Sequence, residues 1–267
     1  MNDTYSPPVN VHVPTAGPVR VEQQGATLII TLDRPHVRNA IDRPLADAVD
    51  RALTRLENDS ALTVAVLTGA GGHFCSGMDL KAFPEHGVPT VADRGLAGLT
   101  RARLTKPLIA AVEGAAVAGG FELALACDLI TASDTAFFAL PEVARGLIAA
   151  EGGAIRLPDR LPHHLAMELL LTGTRLPARD AARHGLVNRL TSQGQALHAA
   201  LALAGEIQAH NPAAVRATKQ IVHATRGRDD HTAFTLQTPI STPVFAAASA
   251  REGARAFTDK RPADWTA

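Results

Sequence analysis

The sequence predicts an α/β fold with buried strands, followed by a helical C-terminal region, and three observations carry that expectation. Short β-rich runs alternate with helix-period segments over the first part of the chain, the pattern of strands layered under helices. Beyond Gly152-Gly153 the helical pattern dominates. The 267 residues are 46% hydrophobic and 19% charged, enough apolar material for one sizeable core.

Taken in order, Val19 to Gln23 and Ala26 to Leu32 are two β-rich runs separated at Gly25, a hairpin signal. Asp42 is a candidate N-cap with Pro44 in the first turn. Behind it Leu45, Val49, Ala52, Leu53 and Leu56 recur with the period of an amphipathic helix. Leu62–Leu67 and Leu108–Val112 are β-rich, Phe121–Ala126 is helical, and Leu129–Thr131 resumes the strand pattern. Helices are expected over Leu165–Leu171, Ala178–Arg183 ending at Gly185, Gln195–Ala209 and Pro212–Arg226, interrupted by an apolar run at Leu186–Leu190 that fits a last strand. The expected organisation is a flexible, proline-bearing tail over residues 1–18, an α/β core with the active site over 19–194, and an α-helical oligomerisation region over 195–267.

Lys+Arg and Asp+Glu both count 26, so no summed field draws the protein to nucleic acid or to an anionic membrane. No apolar run reaches the length of a membrane span. Cys75 and Cys127 have neither metal-ligand nor disulfide spacing, which fits a reducing, cytoplasmic setting. His163-His164 lacks a third ligand at metal spacing. No metal and no separate cofactor are expected.

Three segments carry chemistry. The strand ending at Thr68 runs into Gly69-Ala70-Gly71-Gly72-His73-Phe74-Cys75-Ser76-Gly77-Met78-Asp79-Leu80-Lys81, where glycines allow backbone N–H groups to approach a polarised oxygen. The strand ending at Val112 passes through Gly114 and Ala118 to Gly119-Gly120, with a helix beginning near Gly119 and Glu122 in its first turn. Such a helix start presents N–H groups and a positive dipole end; a lone Glu there also serves simply to favour the dipole. Glu142 follows Pro141 among apolar neighbours, where a carboxyl takes a raised pKa. Together they supply charge stabilisation, a base and an acid for enolate chemistry on a thioester.

Phe74-Cys75-Ser76-Gly77-Met78-Asp79-Leu80 resembles the F-x-A/S-G-x-D-I/L segment of the crotonase (enoyl-CoA hydratase/isomerase) superfamily, and Gly114 through Asp128 is similar to its G-x-x-x-G-G-G-x-E-L-x-x-x-C-D segment. The likeness continues through Pro141-Glu142, Gly152-Gly153, Leu171-Thr172-Gly173, Gly185-Leu186-Val187-Asn188 and Glu252-Gly253 to Lys260-Arg261. The resemblance implies a crotonase-like fold, stacked β-sheets of a ββα spiral surrounded by helices. It also implies an oxyanion hole formed by the N–H groups of Met78 and Gly119, with Glu122 and Glu142 as the hydratase pair. The remaining residues implied at the coenzyme A or substrate are Ser76, Gly77, Asp79, Leu80, Lys81, Gly120, Ala150, Phe257 and Lys260, the last acting across a subunit boundary. Asp79 also suits a turn-fixing role, and Lys81 and Lys260 also read as solvated charges.

The implied reaction is hydration of a 2-enoyl-CoA, the coenzyme A being part of the substrate, by a homotrimer or dimer of trimers. Isomerisation and a carnitinyl-CoA-type dehydration stand beside it, and a non-enzymatic or RNA-binding role behind them. Two departures stand out. Ala118 replaces the first glycine of G-G-G, expected to be tolerable because the donor is Gly119. Glu151 is a third carboxylate near the site, read either as a solvated loop residue or, if it reaches the acyl chain, as a proton shuttle suited to an isomerase. The stretch Ala82–Thr100 is expected to wall the pocket.

Overall fold

The computed structural model describes residues 17–265, so all of the expected tail except Gly17 and Pro18 lies outside the described residues. The chain forms β1 (Val19–Gln24), β2 (Thr27–Leu32), α1 (Arg43–Asn58), β3 (Val64–Gly69), α2 (Phe83–His86), β4 (Leu108–Val112), β5 (Ala115–Val117), α3 (Gly119–Ala126), β6 (Leu129–Ser133) and β7 (Phe137–Ala139). Then come α4 (Gly153–Arg156), α5 (His163–Thr172), β8 (Leu176–Pro177), α6 (Ala178–Arg183), β9 (Arg189–Thr191), α7 (Ala196–Gln208), α8 (Pro212–Thr225), α9 (Asp230–Ala246) and α10 (Ala248–Thr258).

A six-stranded sheet runs β1-β2-β3-β4-β6-β9, and a three-stranded sheet runs β5-β7-β8. The expected β1/β2 hairpin is antiparallel; every later pairing in the large sheet is parallel. Period-2 alternation sorts the central strands onto two faces. Ala65, Leu67, Ala110 and Val112 join the main core with the α1 residues Leu45, Val49, Leu53 and Leu56. Val64, Val66, Ile109 and Ala111 form a second cluster with Ala196, Ala200, Leu203 and Ala204 of α7. Strands covered on both sides are largely apolar, which is why β3 and β4 are legible as runs despite Thr68 at the end of β3. Asp42 caps α1 by accepting from the Leu45 N–H at 2.9 Å.

The structure differs from the expectation in register and in small elements. β3 begins two residues late, and the last strand is Arg189–Thr191 rather than Leu186–Leu190. Leu186 and Val187 are instead buried core residues before the strand, and Asn188 pairs with Ile130 through both its backbone N–H and its side-chain oxygen. The small sheet went unforeseen because each of its strands is two or three residues long. α9 went unforeseen because Pro239 and Pro243 lie inside it, where prolines remove helix hydrogen bonds.

α8 and α9 bury no residue in the single chain, and Phe234, Phe245 and Phe257 are exposed. Lys219 ties α8 to the core, its Nζ donating to Asp128 at 2.6 Å and to the Lys106 carbonyl at 2.8 Å. Among the described residues no helix is long and apolar enough to cross a membrane.

Candidate active site

The glycine-rich loop after β3 is shaped by Asn39, a fully buried residue that sequence reasoning missed. Its amide donates to the carbonyls of Ala70, His73 and Phe74 at 2.9, 2.8 and 3.2 Å, while its oxygen accepts from the Arg34 N–H at 2.9 Å. The loop then runs beside β5: Cys75 N–H donates to Ala115, and Val117 N–H donates back to Cys75. At the next residues Ile41 pairs alongside, its N–H donating to Gly77 and its carbonyl accepting from Asp79. Backbone N–H directions alternate along an extended segment, so with Asp79 turned to Ile41 the Met78 N–H points to the opposite side. Gly77, at φ 89°, is needed there: a Cβ on it would lie 2.9 Å from the Gly119 nitrogen.

Gly119 opens α3, so its N–H is one of those left without an intrahelical acceptor. The turn that aims it is made by Ala118 at φ 51°, ψ −127°, a conformation that strains any residue with a β-carbon. Ala118 holds this conformation at a cost. Relieving strain of about 1–3 kcal/mol, offset in part by the freedom glycine gains in the unfolded chain, Ala118→Gly should stabilise the protein by about 1 kcal/mol. The measurement is the urea unfolding midpoint, and an unchanged or lower midpoint would show that the turn stores no strain.

Met78 and Gly119 line one cavity of about 390 Å³ together with Ser76, Leu80, Ala150, Glu122 and Glu142. Its apolar lining includes Phe83, Val88 and Leu96 from the stretch expected to form its wall, together with Leu147 and Ile148. Glu122 is 3% and Glu142 9% exposed. Glu122 Oε1 accepts from the N–H groups of Glu151 and Gly153 at 2.8 and 2.9 Å. Burial, with the charges of Glu142 and Glu151 adding to it and these two amides opposing it, leaves its carboxyl pushed up to about 7. Burial likewise raises Glu142 above the usual carboxylate range, and its Oε2 is buried with no hydrogen-bond partner among the described residues. An unpaired buried oxygen costs free energy unless something polar enters beside it.

The other expected site residues divide. Gly120 packs against the Cys75 carbonyl, leaving no room for a side chain. Asp79 pairs with Arg34 at 3.3 Å and accepts from the Lys81 N–H at 3.1 Å, which fixes the turn. Asp79 and Lys81 instead line a second cavity with Arg43 and His86, which shares no lining residue with the first. Phe257 and Lys260, at the end of α10, line neither of these cavities, and Phe257 is 88% exposed.

Glu151 does not fit the solvated reading, and it lines the same cavity as Glu122 and Glu142. It is 7% exposed, not solvated, and its carboxylate is engaged by the Leu96 N–H, the Thr100 hydroxyl and the Arg101 guanidinium at 3.0, 2.6 and 2.6 Å. Burial raises its pKa, but these partners outweigh burial and hold it below the usual range. Three donors thus hold this cavity-lining carboxylate in place. Among the described residues no three His, Cys, Asp or Glu side chains gather as metal ligands would.

The profile of the enoyl-CoA hydratase/isomerase family matches residues 22–267. The chain belongs to that family. The enoyl-CoA hydratase EchA19 of Mycobacterium tuberculosis is 41% identical over 248 residues, 90% of this chain and 93% of that one. The carnitinyl-CoA dehydratase of Proteus mirabilis is also 41% identical, over 91% of this chain and 95% of its own. In three dimensions this enoyl-CoA hydratase/isomerase family member superposes on a crystal structure of an enoyl-CoA hydratase from Mycobacterium tuberculosis with a TM-score of 0.91 and 51% identity, covering 93% of this chain and 98% of the other. The crotonase-like fold expected from the sequence is therefore the fold found.

Proposed function

We propose that this protein is an enoyl-CoA hydratase, adding water across the 2,3 double bond of an acyl-CoA thioester. The observation that carries the reading is the pair of buried carboxyls, Glu122 and Glu142, facing one cavity with the N–H groups of Met78 and Gly119. The thioester oxygen sits on the two N–H groups. Water held between the carboxyls attacks C3 as Glu122 takes its proton, and the π electrons move onto the thioester oxygen. The enolate then returns its electrons and takes a proton at C2 from Glu142. Passage of one proton from Glu122 to Glu142 resets the pair. Coenzyme A enters as part of the substrate, and water is the only other reactant. Ser76, Leu80 and Ala150, which line this cavity, contact the substrate, and Lys81 is the residue of the loop suited to a coenzyme A phosphate.

The test is loss of the enoyl thioester absorbance of crotonyl-CoA and its longer homologues, followed against pH. The pair must hold one proton and burial raises both carboxyls, so kcat/KM should follow a bell in pH, rising as the pair loses its first proton and falling as it loses its second, with both limbs belonging to the pair. No turnover of any 2-enoyl-CoA would overturn the reading. The relatives named carnitinyl-CoA dehydratases favour a second one, loss of water from a substituted 3-hydroxyacyl-CoA by the same groups in reverse; relative kcat/KM on the two substrate types decides between them.

The exposed phenylalanines of α9 and α10 support assembly into a trimer or dimer of trimers, with Phe257 and Lys260 brought to a neighbouring subunit's substrate. Sedimentation at micromolar concentration should give three or six copies, and a monomer there would count against it. The two free buried thiols fit a reducing cytoplasm.

A further inference from the structure

We infer that Glu151 is a positioning residue for this reaction, its carboxylate gathering Leu96, Thr100 and Arg101 so that its own amide stays on Glu122 and the pocket wall stays on Gly119. The inference rests on the hydratase reading for its catalytic consequence and on geometry for the rest.

Each link is a contact. The Glu151 N–H donates to Glu122 Oε1 at 2.8 Å, while its side chain reaches the other way, to the segment that includes Leu96 and Thr100. Arg156 closes the back of this knot, donating to the carbonyls of Glu151 and Thr100. Leu96 in turn packs over Gly119: a Cβ on that glycine would lie 2.6 Å from Leu96 Cδ2. Gly95, at φ 76°, has no room for a β-carbon, which would meet the Thr100 hydroxyl at 2.4 Å and Glu151 Oε2 at 2.7 Å. One buried carboxylate thus spans the two halves of the site, the carboxyl that handles water and the surface beside the thioester oxygen. Burial makes the tether strict, because a carboxylate out of water keeps all the donors it has. Since those donors hold Glu151 ionised, the tether persists through the pH range in which Glu122 titrates.

Misplacing a reacting group by about 1 Å can cost roughly 10² in rate. Glu151→Ala is therefore expected to lower kcat about 10- to 100-fold with a much smaller change in KM, and Glu151→Gln, which keeps the shape and one acceptor, should recover part of the loss. Hydrogen exchange gives a readout independent of turnover: in Glu151→Ala the amides of residues 151 and 153 should exchange at least about tenfold faster, while those of β4 stay as in the wild type. Wild-type kcat in folded Glu151→Ala overturns the inference. So does a loss of kcat matched by loss of folded protein with the two amides still protected. If Glu151→Ala does not fold, Thr100→Val and Arg101→Met each remove one donor, and the same two measurements decide. A wild-type protein that hydrates no 2-enoyl-CoA refutes the hydratase reading separately, and the amide exchange then alone decides whether Glu151 holds Glu122.

Discussion

Glu122→Gln is expected to lose a factor of about 10² to 10⁴ in kcat while substrate affinity is largely kept. The reasoning is geometric. Glu122 Oε1 is fixed by two amide donors, the N–H groups of Glu151 and Gly153. A glutamine carbonyl accepts both without moving, so the fold and the cavity survive and only the proton acceptor is lost. Glu142→Gln should show a loss of the same order for the opposite reason, since the amide cannot deliver the proton to C2. Because both groups act on one water, the double variant should lose far less than the product of the two losses. Rapid-mixing measurement of kcat and KM checks all three, and near-wild-type hydration by either single variant removes the role assigned to that residue.

The second large effect is expected at Gly119. Backbone donors are not deleted by trimming side chains, so Met78→Ala should be mild. A β-carbon on Gly119 meets Leu96 Cδ2 at 2.6 Å, the far end of a side chain able to swing, and so Gly119→Val should fold but push Leu96 and its own branches into the space of the thioester oxygen. Loss of one such donor costs roughly 10² to 10³ in turnover, or about 3 to 4 kcal/mol, and exclusion of substrate adds to it. Folded Gly119→Val with normal turnover on crotonyl-CoA would end the oxyanion assignment. Gly120→Ala is a useful contrast, because its β-carbon would sit 2.2 Å from the Cys75 carbonyl oxygen, where only the backbone itself can give way.

What could be read from the sequence follows the range of the interactions involved. α1 was legible because its cap and its apolar face are local, Asp42 acting on Leu45 and the stripe repeating every turn. The two segments that carry Met78 and Gly119 were legible because close backbone approach restricts residue type at Gly77 and Gly119. Asn39 and Glu151 were not, since their partners lie far along the chain: Asn39 reaches Phe74 35 residues away and Glu151 reaches Leu96 55 residues away. Nothing adjacent to either residue marks it as buried and satisfied. The solvated reading of Glu151 fails for that reason, because long-range donors hold its carboxylate in a buried place. The short strands β5, β7 and β8 escaped in the same way, because their pairing comes from distant partners rather than from a run of β-formers.

The two cysteines bracket the site, Cys75 just before Met78 and Cys127 at the end of α3. Both are buried, and burial pushes the Cys75 thiol up to about 12 and Cys127 above its ordinary range. Only the thiolate reacts with electrophiles and peroxide, so in the closed protein these sulfurs are chemically silent. Any labelling must pass through an opening that wets them. Cys75 and Cys127 therefore act as two built-in clocks, one timing the release of the loop that carries Met78 and the other the fraying of α3.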